Sequence, residues 1–170
     1  ADDGLAAYLR MRPRLFAIAY RMLGSAAEAE DIVQDVWIRW QMADRSVVRD
    51  AAAFLVTTAT RLAINVRQSA RLRRETPVGP GVPEPVDLAP DPRLAAERGE
   101  ALTHVMRVLL EALTPTERAA YILREAFDYA YRDIAAILRL QEANARELVS
   151  RARQRVTDGR GQRGGANAQR

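Results

Sequence analysis

The side chains able to do chemistry in this 170-residue chain form a narrow set. Cysteine is absent and His104 is the single histidine. Disulfides, thiolate metal sites, iron–sulfur clusters and thiol nucleophiles are thereby removed, and acid–base catalysis is left with very few candidates. No Gly-rich phosphate loop and no carboxylate pair in a plausible pocket is written along the chain, so no catalytic residue, metal site or cofactor is expected. His104, beside Arg107, reads as an ordinary surface residue. What remains is ionic chemistry. All 26 basic residues are arginines, set against 22 acids for a net charge of +4. GC-rich coding accounts for the missing lysine, but the guanidinium fork is also the side chain suited to phosphates and base edges.

Three charged patches stand out. From Arg151 onward there are six arginines and one acid, whereas the preceding residues hold 20 arginines and 21 acids, so the positive excess is C-terminal. A basic end of this kind suits nucleic acid or an anionic membrane surface. Between Arg61 and Arg74 five arginines occur without an acid. A cationic helix end is favoured by the macrodipole, yet five charges exceed what that requires, and phosphate contact is the alternative. The third patch is acidic: Glu28, Asp31, Gln34 and Asp35 surround Ile38, a hydrophobe inside a charged rim. It reads either as a solvated helix face or as a partner surface.

The elements that must position these residues are helices. Ala, Leu and Arg dominate and aromatics make up only 6%, which predicts an all-α chain. Six of the eight prolines fall within Thr76 to Pro92. Such density disfavours helix and marks a linker able to extend to roughly 50 Å as polyproline II. The expected organisation is therefore two small helical domains, 1–75 and 93–157, joined by a Pro-rich linker at 76–92 and followed by a disordered tail at 158–170. The longest strictly apolar run, Ala51 to Val56, is far short of the roughly 20 residues a membrane span needs. With no basic signal start at Ala1-Asp2-Asp3-Gly4, the chain is expected to be soluble and cytoplasmic, without membrane contact.

In the first domain Leu15, Ile18, Ala19 and Met22 recur at helical spacing, and Gly24-Ser25 stops that helix and caps the next. The following helix places Ala29, Ile32, Val33, Val36, Trp37 and Trp40 on one buried stripe. After a loop at Met42 to Asp50, a long helix runs from Ala51 to about Arg74. In the second domain Leu102, Val105, Met106, Leu109 and Leu113 form the stripe of a helix over about Arg93 to Leu113. Thr114-Pro115-Thr116-Glu117 is a capping box with proline at the first helical position, opening a helix to Phe127. After a break at Asp128-Tyr129, two short helices at Tyr131 to Leu138 and Glu142 to Val156 read as a helix-turn-helix. Ile134, Ala135 and Leu138 face inward on the first of them, and Ala145, Leu148, Val149 and Ala152 on the second. Outward stand Asn144, Arg146, Glu147, Ser150, Arg151, Arg153 and Arg155, types that reach base edges and phosphates. The turn Arg139-Leu140-Gln141 lacks the glycine such turns often use.

With these pieces in order, the chain resembles an extracytoplasmic-function sigma factor, the two-lobed promoter-recognition subunit of bacterial RNA polymerase. The resemblance covers about Leu5 to Val156 and rests on RPRLFAIAYRMLGSAAEAEDIVQDVWIRW, AAFLVTTATRLAINVRQSARLRR, LTPTERAAYILREAFDYAYRDIAAIL and ANARELVSRARQRV. It implies a sigma region 2-like bundle and a region 4-like helix-turn-helix. Asp31, Gln34, Asp35 and Ile38 would dock on the coiled coil of the polymerase β′ clamp. Arg61 and Asn65, with the loop before them and phosphate contacts from Arg67 and Arg71, would read the minus-ten region around a flipped-out base. Arg146, Ser150 and Arg151 would read the minus-thirty-five element in the major groove, while Asn144 and Arg153 hold phosphates. The implied partners are core RNA polymerase, through the β′ clamp and the β flap, promoter DNA, and an anti-sigma factor. The linker VGPGVPEPVDL is similar to that of a subgroup bearing a C-terminal SnoaL-like extension. The 14 residues after Val156 leave no room for that domain. The competing reading from the residues alone is a stand-alone helix-turn-helix transcriptional regulator, which leaves the Asp31, Asp35 and Ile38 face without a partner.

Overall fold

The computed structural model describes residues 3–75 and 110–166, all of whose regular elements are helices. The linker, His104 and the apolar stripe as far as Leu109 lie outside the described residues. The chain divides into two compact units, Ala1–Asp91 and Pro92–Arg170.

The first unit contains α1 (Asp3–Leu23), α2 (Ala26–Met42) and α3 (Ala51–Glu75), with α1 packed against both others. The predicted stripe of α1 is the centre of the core: Leu15, Ile18, Ala19 and Met22 are all 0–1% exposed. Pro13 lies inside α1 on its exposed side, where its missing N–H can be tolerated. Gly24 ends α1 at φ 71°, a left-handed conformation that a side chain would strain. Ser25 then caps α2 by accepting from the Glu28 amide at 3.3 Å. On α2 the expected stripe is buried except for Trp37, which is half-buried with its ring 4.7 Å from Tyr8. Two buried donors lock α1 to α2: the Tyr8 hydroxyl donates to the Val33 carbonyl at 3.0 Å, and the Trp40 indole to the Gly4 carbonyl at 2.8 Å. Each leaves no unsatisfied polar group behind, the condition for burying an amphipathic ring.

The second unit contains α4 (Pro115–Glu125), α5 (Tyr131–Leu138) and α6 (Glu142–Ala166). The capping box forms as written: the Thr114 hydroxyl accepts from the Glu117 amide at 3.2 Å, and the Glu117 carboxylate accepts from the Thr114 amide at 3.4 Å. α4 stops at Glu125, two residues short of the expected Phe127. Asp128 adopts φ 55° there, and the Tyr129 amide reaches back to the Leu123 carbonyl at 3.0 Å. That closure diverts the backbone before another turn can form. α5 has the expected limits, but Ile137 is buried where Leu138 was expected and Leu138 is half-buried. Ile134 and Ala135 face inward as predicted, as do Ala145, Val149 and Ala152 on α6, with Leu148 half-buried.

Two expectations about the ends of α6 and α5 meet different outcomes. The tail expected to be disordered from 158 is helical to Ala166. Once Ala152 and Val156 dock against Leu110, Leu113 and Tyr121, each further residue adds a hydrogen bond without a new nucleus. Gln154 also donates to Asp158 across one turn at 3.1 Å. Arg139 does take the left-handed position at φ 56°, ψ 48°, where an L-residue costs about 1–2 kcal/mol. Arg139→Gly should therefore stabilise the chain by about 0.5–1 kcal/mol after the added freedom of the unfolded state is subtracted. Thermal melting would read this as a raised Tm, and a lowered Tm would show that the arginine side chain outweighs its backbone strain.

Candidate protein and nucleic-acid interfaces

The acidic face of α2 is exposed as its spacing requires. Glu28, Asp31 and Gln34 are exposed, the Asp35 side chain is 44% exposed, and Ile38 is 48% exposed. Asp35 accepts from Arg39 Nε at 3.3 Å, so part of its charge is met on its own helix. Antiparallel packing of α1 on α2 extends this face in a way no single helix pattern carries. A groove of about 470 Å³ is lined by Leu5, Tyr8 and Arg12 from α1 and by Glu30, Asp31, Gln34 and Trp37 from α2. Arg12 and Glu30 pair across its rim at 3.1 Å. Burial is the largest influence on the Tyr8 hydroxyl and raises its pKa, so it stays a neutral donor in the groove floor.

The loop between α2 and α3 is anchored from below. Asp44 accepts from the Ser46 hydroxyl at 2.5 Å and the Ser46 amide at 3.1 Å, and these bonds hold its carboxyl below the usual range. The Arg45 guanidinium lies 5.5 Å from the Trp40 ring centre. It also fills the space above Gly4, where a Cβ would come within 1.7 Å of Nη1. Val47 is left 73% exposed on this loop. Asp50 then accepts from the Ala53 amide at 3.0 Å, starting α3. On α3 Arg61 and Asn65 are one turn apart and share a face, as do Arg67 and Arg71. The two pairs lie about a third of a turn apart by helical geometry, so the four do not form one surface. Arg61 and Arg67 are half-buried, whereas Asn65 and Arg71 are exposed.

On α6 all of Asn144, Arg146, Glu147, Ser150, Arg151 and Arg153 are exposed. At about 100° per residue Glu147 and Ser150 lie along the crest opposite the buried stripe, with Arg146 and Arg153 on one flank and Arg151 and Asn144 on the other. The arginines are tied down. Arg146 donates to Glu142 at 3.0 Å, Arg151 lies 3.6 Å from Glu147, and Arg153 binds Glu125 of α4. The Glu125 carboxylate raises the pKa of Arg153 by favouring its charged form, with smaller help from Tyr131. Arg155, outward by pattern, turns back to Glu117 at 2.9 Å, and Glu117 is only 6% exposed. It is a fastening between α6 and α4. These long-range partners, and the α1–α2 groove, are what reasoning along the sequence missed, since only the tertiary packing of separate helices brings them together.

Comparison with known proteins defines the class. Residues 7–76 match Sigma-70 region 2 and residues 104–156 match Sigma-70, region 4. The extracytoplasmic-function sigma factor SigJ of Mycobacterium tuberculosis is 41% identical over 150 residues, covering 86% of this chain and 48% of that protein. Its crystal structure superposes with a TM-score of 0.62 at 37% identity, over 90% of this chain and 53% of that one. The sigma factor RpoE of Bartonella quintana, solved with the anti-sigma factor NepR, shares the fold, with a TM-score of 0.67 at 23% identity over 94% and 97% of the two chains. The chain belongs to the extracytoplasmic-function sigma factors. It spans about half the length of the curated relatives it matches first. No described helix is long and apolar enough to cross a membrane.

Proposed function

We propose that this chain is a cytoplasmic promoter-recognition subunit that binds core RNA polymerase and directs transcription initiation, with no catalytic chemistry of its own. The observation that carries this is the pairing of an exposed hydrophobe in an acidic rim on one unit with a helix-turn-helix bearing a polar crest flanked by arginines on the other. In this reading the domain 1–75 docks Asp31, Gln34, Asp35 and Ile38 on the β′ clamp coiled coil, a basic partner. Arg61 and Asn65, sharing one face of α3 behind the anchored loop, read the minus-ten region, and Arg67 and Arg71 meet the phosphates of a neighbouring strand. The linker 76–92 separates this domain from 93–157, whose Arg146, Ser150 and Arg151 face the bases of the minus-thirty-five element. Asn144 and Arg153 lie farther from the crest, which suits phosphate contacts. The β flap is the polymerase element expected to hold the second unit. An anti-sigma factor, the kind of protein bound to the Bartonella quintana sigma factor, is the class of inhibitor expected to cover these faces.

Run-off transcription with core RNA polymerase on a genomic fragment library, with transcript starts sequenced, tests the proposal. Protein-dependent starts that share two spaced upstream motifs are the expected result. Failure to bind core polymerase would reject it in favour of a stand-alone regulator.

A further inference from the structure

Tyr131 opens α5, half-buried, at the point where three elements meet. The guanidinium carbon of Arg124, from α4, lies 4.4 Å from its ring centre, and that of Arg146, from α6, lies 4.7 Å away. Arg124 is itself fixed, donating to the Tyr129 carbonyl at 3.0 Å. Arg146 is held on its other side by Glu142 at 3.0 Å, yet its side chain is 60% exposed. An exposed arginine ordinarily samples many rotamers. Here the face of an aromatic ring and a carboxylate hold the guanidinium from two sides, so its position is restricted while donors remain for an incoming ligand.

We propose that Tyr131 is a positioning residue for promoter reading: its ring presents the Arg146 guanidinium to the major groove in a preset position. The inference rests on the reading of α6 as the DNA-facing helix. Phosphates accept a guanidinium over a wide range of directions, whereas a bidentate contact to guanine O6 and N7 requires one plane. On DNA binding the base edge replaces Glu142, and the ring contact persists. Preorganising the side chain therefore favours base discrimination over general affinity. Arg124 has no DNA contact in this scheme and serves to hold the ring from α4.

The test uses the full chain in reconstituted holoenzyme. A preferred upstream duplex is first recovered by selection from a randomised duplex library with the wild-type chain. Competition then measures binding of that duplex relative to a scrambled one. Tyr131→Leu should lower the ratio by about two- to fivefold, the equivalent of an exposed cation–π contact. Tyr131→Phe, which keeps the ring face, should retain the wild-type ratio and so separates positioning from folding. In an Arg146→Ala background, Tyr131→Leu should cause no further loss of discrimination. Equal weakening toward both duplexes, a loss shared by Tyr131→Phe, or full additivity with Arg146→Ala would each overturn the inference. An unchanged ratio for Arg146→Ala alone would instead reject the reading of α6 at this position, and the inference with it.

Discussion

Asp35→Arg combined with Ile38→Arg is expected to abolish capture of core RNA polymerase while leaving the fold intact. Ile38 is 48% exposed, and both side chains point away from the core formed by Ile32, Val33 and Val36. Within the chain the double change replaces a surface pair with Arg39 by a like-charge pair one turn apart, each worth a few tenths of a kcal/mol. At an interface the losses are larger. Withdrawing an isoleucine from a buried contact costs about 1.5–3 kcal/mol, and opposing two new guanidiniums to a basic partner costs several more. About a hundredfold loss of affinity is a conservative expectation. Pull-down of polymerase with matched circular dichroism spectra measures it, and unchanged capture would rule out this face as the docking surface.

Arg151→Ala carries the second large effect. If Arg151 contacts a base, its removal costs about 1–3 kcal/mol at the upstream element and relaxes preference at one position. A phosphate role predicts uniform weakening across scrambled promoters and a salt slope shallower by about 1. Arg151 lies 3.6 Å from Glu147, so its loss also leaves a carboxylate facing the DNA without its nearest cation. The double variant Glu147→Ala with Arg151→Ala removes that repulsion. Holoenzyme binding to preferred and scrambled duplexes at two salt concentrations separates the three contributions.

What was legible in the sequence was whatever local chemistry determines. The α5 limits, the Thr114–Glu117 box, the Ser25 cap and the stripes of α1 and α2 each depend on residues within a turn or two, so spacing exposes them. The left-handed turn at Arg139 was legible too, because a missing glycine is visible in sequence. The two Sigma-70 regions matched, at residues 7–76 and 104–156, span these motifs. The rest depends on elements meeting. Glu125 reaches Arg153 across 28 residues and Glu117 reaches Arg155 across 38, distances over which no periodicity operates. Ile137 displaces Leu138 from the core because α5 is short enough for its rotation to be set by α4 and α6 rather than by its own pattern. The helical residues beyond 158 show the opposite failure: composition suggested disorder, but a docked helix extends through weak formers at about 1 kcal/mol per glycine.

The carboxylates beside the arginines of α6 also bear on how this protein would travel over a genome. Arg146, Arg151, Arg153 and Arg155 each have an acid within an ion-pair distance, two from α6 itself and two from α4. Four guanidiniums thus meet four counter-charges, so the stretch from Arg146 to Arg155 presents little uncompensated charge of its own, and the positive excess lies in the arginines that follow it. With α6 as the DNA-facing helix, as proposed above, a productive landing would exchange a carboxylate for a DNA acceptor. On that reading a sequence that offers base contacts as well as phosphates would repay the exchange best, which would shorten dwell time on unrelated DNA. A helix with the same arginines and no acids would bind more tightly everywhere and locate its promoters more slowly.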